Sequence, residues 1–247
     1  MKVALLATCL VDQLYPAVAH SVSQVLRRLG CDVTFPRGQV CCGQPALNSG
    51  YFDDARRVAA RVLDAFEDAE HVVTPSGSCA AMVRHHYERL FEDEPARLAA
   101  AQRLSGKLHE FSQFLVNVLK VERIDGWFPH AVTFHPSCHG ARLLGVREEP
   151  LALLRAVPGL SLRPLPQADD CCGFGGTFAV KLPEISLAIA DEKLRHVAET
   201  GVGFLVGTDL GCLMHLSGRM QRRGLRVEAL HIAQLVERAL GGAAEKA

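Results

Sequence analysis

The 247-residue sequence predicts an α/β fold of two homologous halves, each alternating strand and helix, with mostly parallel sheets related by a pseudo-twofold internal repeat. Two observations carry this. A cysteine pattern, C…CCG…C, occurs twice: Cys9, Cys41-Cys42-Gly43 and Cys79, then Cys138, Cys171-Cys172-Gly173 and Cys212. Around each copy, short apolar runs alternate with helical periodicity, the arrangement that packs helices over a parallel sheet.

The elements follow in order. Lys2–Ala7 is an apolar strand running into Cys9, and Pro16 starts a helix that Gly30 ends. Asp32–Phe35 is a second strand. Over residues 51–69, Phe52, Ala55, Val58, Ala59, Val62, Leu63 and Phe66 recur at three-to-four spacing, an amphipathic helix. Val72-Val73 sits in a third strand, and helices follow near 79–91, 95–105 and 108–120. The second half repeats the scheme with strands near 131–135, 161–165 and 203–208. Leu108-His109 and Leu230-His231 each read as the opening of a late helix. Asp125-Gly126 and Pro129 mark a turn at the junction, so the halves are expected to span 1–122 and 123–247.

Such folds place ligands beyond the carboxyl ends of the strands. Cys9, Cys79, Cys138 and Cys212 all fall just after expected strands, so each half converges four thiols on one edge. Ser78 is the expected cap of the helix carrying Cys79, whose N-terminus favours thiolate. Gly43 and Gly173 let the chain turn directly after the vicinal pair and bring amides close to sulfur; Gly175 and Gly176 extend that close approach in the second half. Four thiolates suit an iron–sulfur cluster or tetrahedral zinc. The vicinal pair favours a cluster, whose several irons separate the ligand positions. A dinucleotide site is not indicated, because no G-x-G-x-x-G follows a strand.

Composition excludes other classes. Lys+Arg and Asp+Glu both number 27, giving zero formal charge and no sign of a nucleic-acid partner. No apolar run approaches the roughly 18 residues of a membrane span, and with only Lys2 before the first apolar run a secretory leader is not expected. Leu6-Ala7-Thr8-Cys9 looks a little like a lipoprotein cleavage box, but its leader would be far too short. Nine cysteines in a chain expected to be cytoplasmic point to metal or redox chemistry before disulfides.

These residues carry a resemblance. The duplicated pattern is similar to the cysteine-rich CCG domain pair found in heterodisulfide reductase and in the iron–sulfur component of glycolate oxidase. Over nearly the whole chain it resembles the lactate utilization protein A family, through Thr8-Cys9-Leu10-Val11-Asp12, Cys41-Cys42-Gly43-Gln44-Pro45-Ala46, Asn48-Ser49-Gly50-Tyr51, Pro75-Ser76-Gly77-Ser78-Cys79, Cys171-Cys172-Gly173-Phe174-Gly175-Gly176-Thr177-Phe178 and Gly211-Cys212-Leu213-Met214. The resemblance implies an iron–sulfur redox subunit, with up to two clusters of the [4Fe–4S] kind. It would work with other iron–sulfur lactate-utilization subunits in oxidising L-lactate to pyruvate. Zinc, or a thiol-based scaffold or heterodisulfide-reductase-like role, is the alternative.

The wider pattern closes each half with C-x-x-C, but here Met82 and His215 hold the last position. Met82 reads as core filler, while His215, one helical turn from Cys212, is a further candidate ligand. His135 and His139 flank Cys138 as candidates for hydrogen bonding to sulfur or proton carriage. Cys31 has no repeat partner and reads as a packed thiol; His85 and His86 read as solvated. No flavin site, nicotinamide site or catalytic triad is recognisable, which points to a subunit and not a complete dehydrogenase.

Overall fold

The computed structural model describes residues 1–242; the stretch 243–247, counted with the second half above, lies outside the described residues. Eight strands form two four-stranded sheets in which every neighbouring pair is parallel. In the first half the chain runs β1 (Lys2–Leu5), α1 (Cys9–Leu14), α2 (Pro16–Arg28), β2 (Asp32–Thr34), α3 (Gln44–Asn48), α4 (Phe52–Ala65), β3 (His71–Thr74), α5 (Gly77–Leu90), α6 (Pro95–Lys107), β4 (Leu108–Glu110) and α7 (Phe111–Gln113). A π-helical turn, Phe114–Val118, extends α7. The second half runs β5 (Ala131–His135), a π-helical turn at His139–Leu143, α8 (Glu148–Arg155), β6 (Ser161–Arg163), α9 (Phe178–Lys181), α10 (Pro183–Glu199), β7 (Phe204–Gly207), α11 (Leu210–Arg222), β8 (Glu228–His231) and α12 (Ile232–Gly242).

Strand order is β2-β1-β3-β4 in one sheet and β6-β5-β7-β8 in the other. The two orders are the same, so the repeat in sequence is a repeat in topology. In each sheet the chain steps outward from its first strand to one side and then returns to the other. That leaves a crevice between β1 and β3, and between β5 and β7, at the strands' carboxyl ends. Cys9 and Cys79 lie at the first crevice, Cys138 and Cys212 at the second.

One expectation is corrected. Leu108-His109 and Leu230-His231 do not open helices; they belong to β4 and β8, the fourth strand of each sheet, and the helices begin just after them. The reason is tertiary. Val72, Val73 and Thr74 of β3 pair with Leu108, His109 and Glu110, while β7 pairs with β8 in the same way. Three or four residues joined to a helix carry too short an alternation to announce a strand.

The core joins the halves. One apolar cluster holds Val25 and Leu26 of α2, Val73 of β3, Val206 of β7 and Leu235 and Val236 of α12, all fully or nearly fully buried. Helix α2 of the first half packs on α12 of the second, and the Phe114–Val118 turn packs on α8. Two further clusters fill the opposite faces, one around Leu6, Val62 and Tyr87 and one around Leu194, Leu205 and Leu216. Cys31 is a buried core thiol as expected. No described helix is long and apolar enough to cross a membrane.

Candidate metal centre

Each cysteine set is assembled by the same device. The first thiol follows the central strand, the vicinal pair arrives on a loop, and the last sits in the first turn of a helix. In the first half, Gln39 ties the loop to the end of β1: its side-chain oxygen accepts from Ala7 N–H at 3.1 Å and its amide donates to Leu5 O at 2.9 Å. The buried Tyr87 hydroxyl of α5 donates to Cys42 O at 2.9 Å. In the second half a lysine does the corresponding work. Lys193 of α10, fully buried, donates to Gln167 O and Ala168 O at 2.9 Å each and fixes the chain entering Cys171. Neither Gln39 nor Lys193 stands out in the sequence, since each acts on backbone far from it in the chain.

The thiols meet. In the first set Cys9 and Cys41 Sγ are 3.6 Å apart and Cys42 and Cys79 Sγ 3.2 Å apart. In the second, Cys172 and Cys212 Sγ are 2.9 Å apart, and Cys138 Sγ lies 3.4 Å from His139 Nδ1. All nine cysteines are free thiols. Gly43 N–H donates to Cys41 Sγ at 3.5 Å and Gly173 N–H to Cys171 Sγ at 3.3 Å. Both glycines take left-handed backbone, φ +89° and +87°, the conformation expected of a turn set directly behind two adjacent ligands. Gly175, φ +53°, folds tightly onto Phe178, and Gly176 lines the cavity.

Electrostatics separate the thiols. Its contacts with Cys42 and Cys9 hold Cys41 far below an ordinary thiol pKa. The same contacts, with burial, push Cys9 and Cys42 up. In the second set Cys171 is raised by its bond to Cys172 and by burial, and Cys138 is raised by burial. Packed thiols cannot all ionise without a cation among them; a bound metal would take up the protons' place.

The two sets share one cavity of about 200 Å³, lined by Cys9, Cys41, Cys42 and Cys79 on one side and by Cys138, Cys171, Cys172 and Cys212 on the other. The starts of α5 and α11 meet beside that cavity. Ser76, not Ser78, caps α5: its hydroxyl accepts from Cys79 N–H at 3.2 Å. The helix begins earlier than Ser78 would allow, and Ser78 N–H instead donates across the molecule to Asp209 Oδ2 at 2.8 Å. Asp209 also caps its own helix, α11, accepting from Gly211 N–H at 3.0 Å, and takes a further bond from Ser76 Oγ at 3.3 Å. Behind it, Gly77 N–H donates to Thr208 O at 3.3 Å, and a Cβ on Gly77 would meet Gly140 Cα at 3.0 Å. The halves therefore touch backbone to backbone next to the cysteines.

Asp209 was not among the expected residues. A cap is legible only from its own helix, and Asp209 serves two. Replacing it by Ala removes the acceptor for two backbone amides and one hydroxyl. The expected loss is about 3 kcal/mol in urea unfolding, with Asn intermediate, because one buried acceptor lost typically costs about 1–3 kcal/mol. A loss below about 0.5 kcal/mol would show that the cap does not join the halves.

The histidines divide. His215 packs over Gly173, its Nε2 3.2 Å from Ser186 Oγ, and burial lowers its pKa. Met82, in the same relation to Cys79, is fully buried beside Gly43, as expected for core filler. His85 is exposed and His86 half-buried on α5. His135, at the end of β5, is buried with neither ring nitrogen hydrogen-bonded. Its ring nitrogen and the Cys172 and Cys212 sulfurs lie within 4.8 Å of one another. Burial drives its pKa down to about 3, which keeps the ring neutral near pH 7.

Comparison with known proteins matches residues 3–84 and 132–217 separately to the Cysteine-rich domain family, CCG. Lactate utilization protein A of Bacillus licheniformis is 50% identical over 236 residues, covering 96% of this chain and 99% of that protein. The chain belongs to the lactate utilization protein A family. The protein of that name from Halalkalibacterium halodurans is also 50% identical, covering 96% of both chains. A hypothetical protein from Helicobacter pylori has the same fold, with a TM-score of 0.66 at 12% identity over 97% of this chain and 49% of its own. The family's two matched segments each enclose one complete cysteine set, so the repeat seen in the thiols is the family's own.

Proposed function

We propose that this chain is an iron–sulfur electron-transfer subunit of a multi-protein system oxidising L-lactate to pyruvate. The observation that carries the reading is the convergence of eight thiols, as two C…CCG…C sets, on one cavity between the crevices of two parallel sheets. The donor set fits the group. Sulfur dominates it, and the acidic side chain lining the cavity, Asp209, is spent on backbone amides as a helix cap. Cys9, Cys41, Cys42 and Cys79 would hold the group of the first half, 1–122. Cys138, Cys171, Cys172 and Cys212 would hold that of the second, 123–247. When bound, such clusters accept and donate single electrons.

The chain's own residues hold the donors and shield them. Gly43 and Gly173 aim amides at sulfur, which favours the thiolate form and tunes a bound centre. Cys42, Cys79, Cys172 and Cys212 are buried, while Cys171 is exposed and Cys9, Cys41 and Cys138 are half-buried. Electrons thus have a wet edge to enter by. Loss of two electrons and two protons from lactate requires a two-electron acceptor at the substrate carbon, and partner subunits would supply it.

The test is anaerobic reconstitution with the partner iron–sulfur proteins of the same system. L-lactate should bleach the cluster absorbance of this chain only when those partners are present. Turnover by this chain alone with an artificial acceptor, or no bleaching in the complete mixture, would overturn the subunit reading.

A further inference from the structure

The two sites are not equivalent, and the difference is systematic. Leu6 stands three residues before Cys9, whereas His135 stands three before Cys138. Leu10 follows Cys9, and His139 follows Cys138. Met82 lies three residues past Cys79, and His215 three past Cys212. At three corresponding places an apolar residue of the first half is a histidine in the second.

The three histidines differ in what engages them. His139 faces Cys138 Sγ at 3.4 Å, and His215 is paired with Ser186. His135 alone of the three has both ring nitrogens buried and without a partner. Leaving a buried imidazole unpaired destabilises the fold, a cost that Leu6 avoids in the first half. What lies within reach is sulfur: the ring nitrogen and the Cys172 and Cys212 Sγ atoms fall within 4.8 Å of one another. One imidazole and two thiols, all buried and within that distance of one another, form the start of a coordination sphere for a borderline or soft metal.

We propose that His135 is a metal ligand of the second site, which binds its metal centre through imidazole nitrogen together with thiolate, while the first site is all-thiolate. The inference deepens the iron–sulfur reading in naming the centre's ligands, but it holds for any thiophilic metal placed there.

The variant His135→Leu gives the second half the first half's residue. Apo protein carrying it should unfold at higher urea concentration than the parent, because an unpaired buried polar group is gone. Its metal binding should weaken. The full chain, loaded with iron and sulfide without oxygen and reduced, should show by pulsed EPR a coupling to a directly bound nitrogen. His135→Leu should lose that coupling and His215→Met should keep it. In parallel, Zn²⁺ alone is added to apo protein and its X-ray absorption fine structure recorded. A nitrogen shell near ~2.0 Å beside sulfur near ~2.3 Å is expected. In His135→Leu that nitrogen shell disappears and zinc affinity falls about tenfold or more. The zinc arm judges His135 even if no iron centre assembles, an outcome that would sink the iron–sulfur reading instead. Nitrogen coupling and zinc affinity unchanged in His135→Leu would overturn the proposal, as would a nitrogen signal lost with His215 alone.

Discussion

Replacing Cys42 or Cys172 by Ser is expected to remove the iron of its own half and stop lactate-driven electron flow through the whole chain. Both thiols are buried, and each lies against the helix-borne thiol of its set, at 3.2 Å from Cys79 and 2.9 Å from Cys212. A serine hydroxyl is a hard, weakly acidic donor that does not replace thiolate at an iron–sulfur or zinc site. Iron and sulfide content should fall by roughly half in either variant, because each half supplies its own ligands. Electron flow should fall to background in both, if the centres act in series. Cys31→Ser is the control. Cys31 is buried like Cys42 but packs in the apolar core, so its replacement should cost about 1–3 kcal/mol of stability and leave iron content unchanged. Equal iron loss in all three variants would reduce the ligand assignment to general instability.

The second large effect concerns the turn behind the vicinal pair. Gly173→Ala should destabilise the protein by about 3–5 kcal/mol and empty the second site, while Gly43→Ala should cost about 1–2 kcal/mol and leave the first site able to load. The two glycines hold φ +87° and +89°, so both variants carry the left-handed penalty of an L-residue. They differ in what the new methyl meets. At Gly43 it would stand 3.3 Å from Ala55 O, a contact small shifts relieve. At Gly173 it would stand 2.4 Å from Ser186 O, on helix backbone, and 3.3 Å from His215 Nε2. Relief there requires α10 to move, and α10 carries the Lys193 that anchors the chain entering Cys171. Urea midpoints and iron content together test this, and equal losses in the two variants would contradict it.

Much of this architecture is written locally. The apolar run before Cys9 and its echo before Cys138 disclose two central strands, and the doubled C…CCG…C discloses two sites. Gly43 and Gly173 disclose tight turns because only a glycine sits easily there. What stays hidden depends on contacts between distant parts of the chain. Leu108–Glu110 is a strand because β3 offers it a partner, and nothing within three residues says so. Ser78 reads as the cap of α5, yet its amide serves Asp209, a residue of the other half. Spacing shows that each half gathers four thiols, but not that both sets face one cavity. That follows from the close approach of Gly77 and Gly140, where two absent side chains let the halves meet. His135 is legible as a histidine near cysteine. Its isolation from every hydrogen-bond partner is not, because burial is a property of the fold.

Whether the eight gathered thiols hold iron–sulfur centres is tested most directly by metal and sulfide analysis of protein purified without oxygen. The expected protein is brown and contains iron and acid-labile sulfide in comparable amounts, with an EPR signal that appears on reduction. A colourless protein with stoichiometric zinc and no labile sulfide would overturn the iron–sulfur reading.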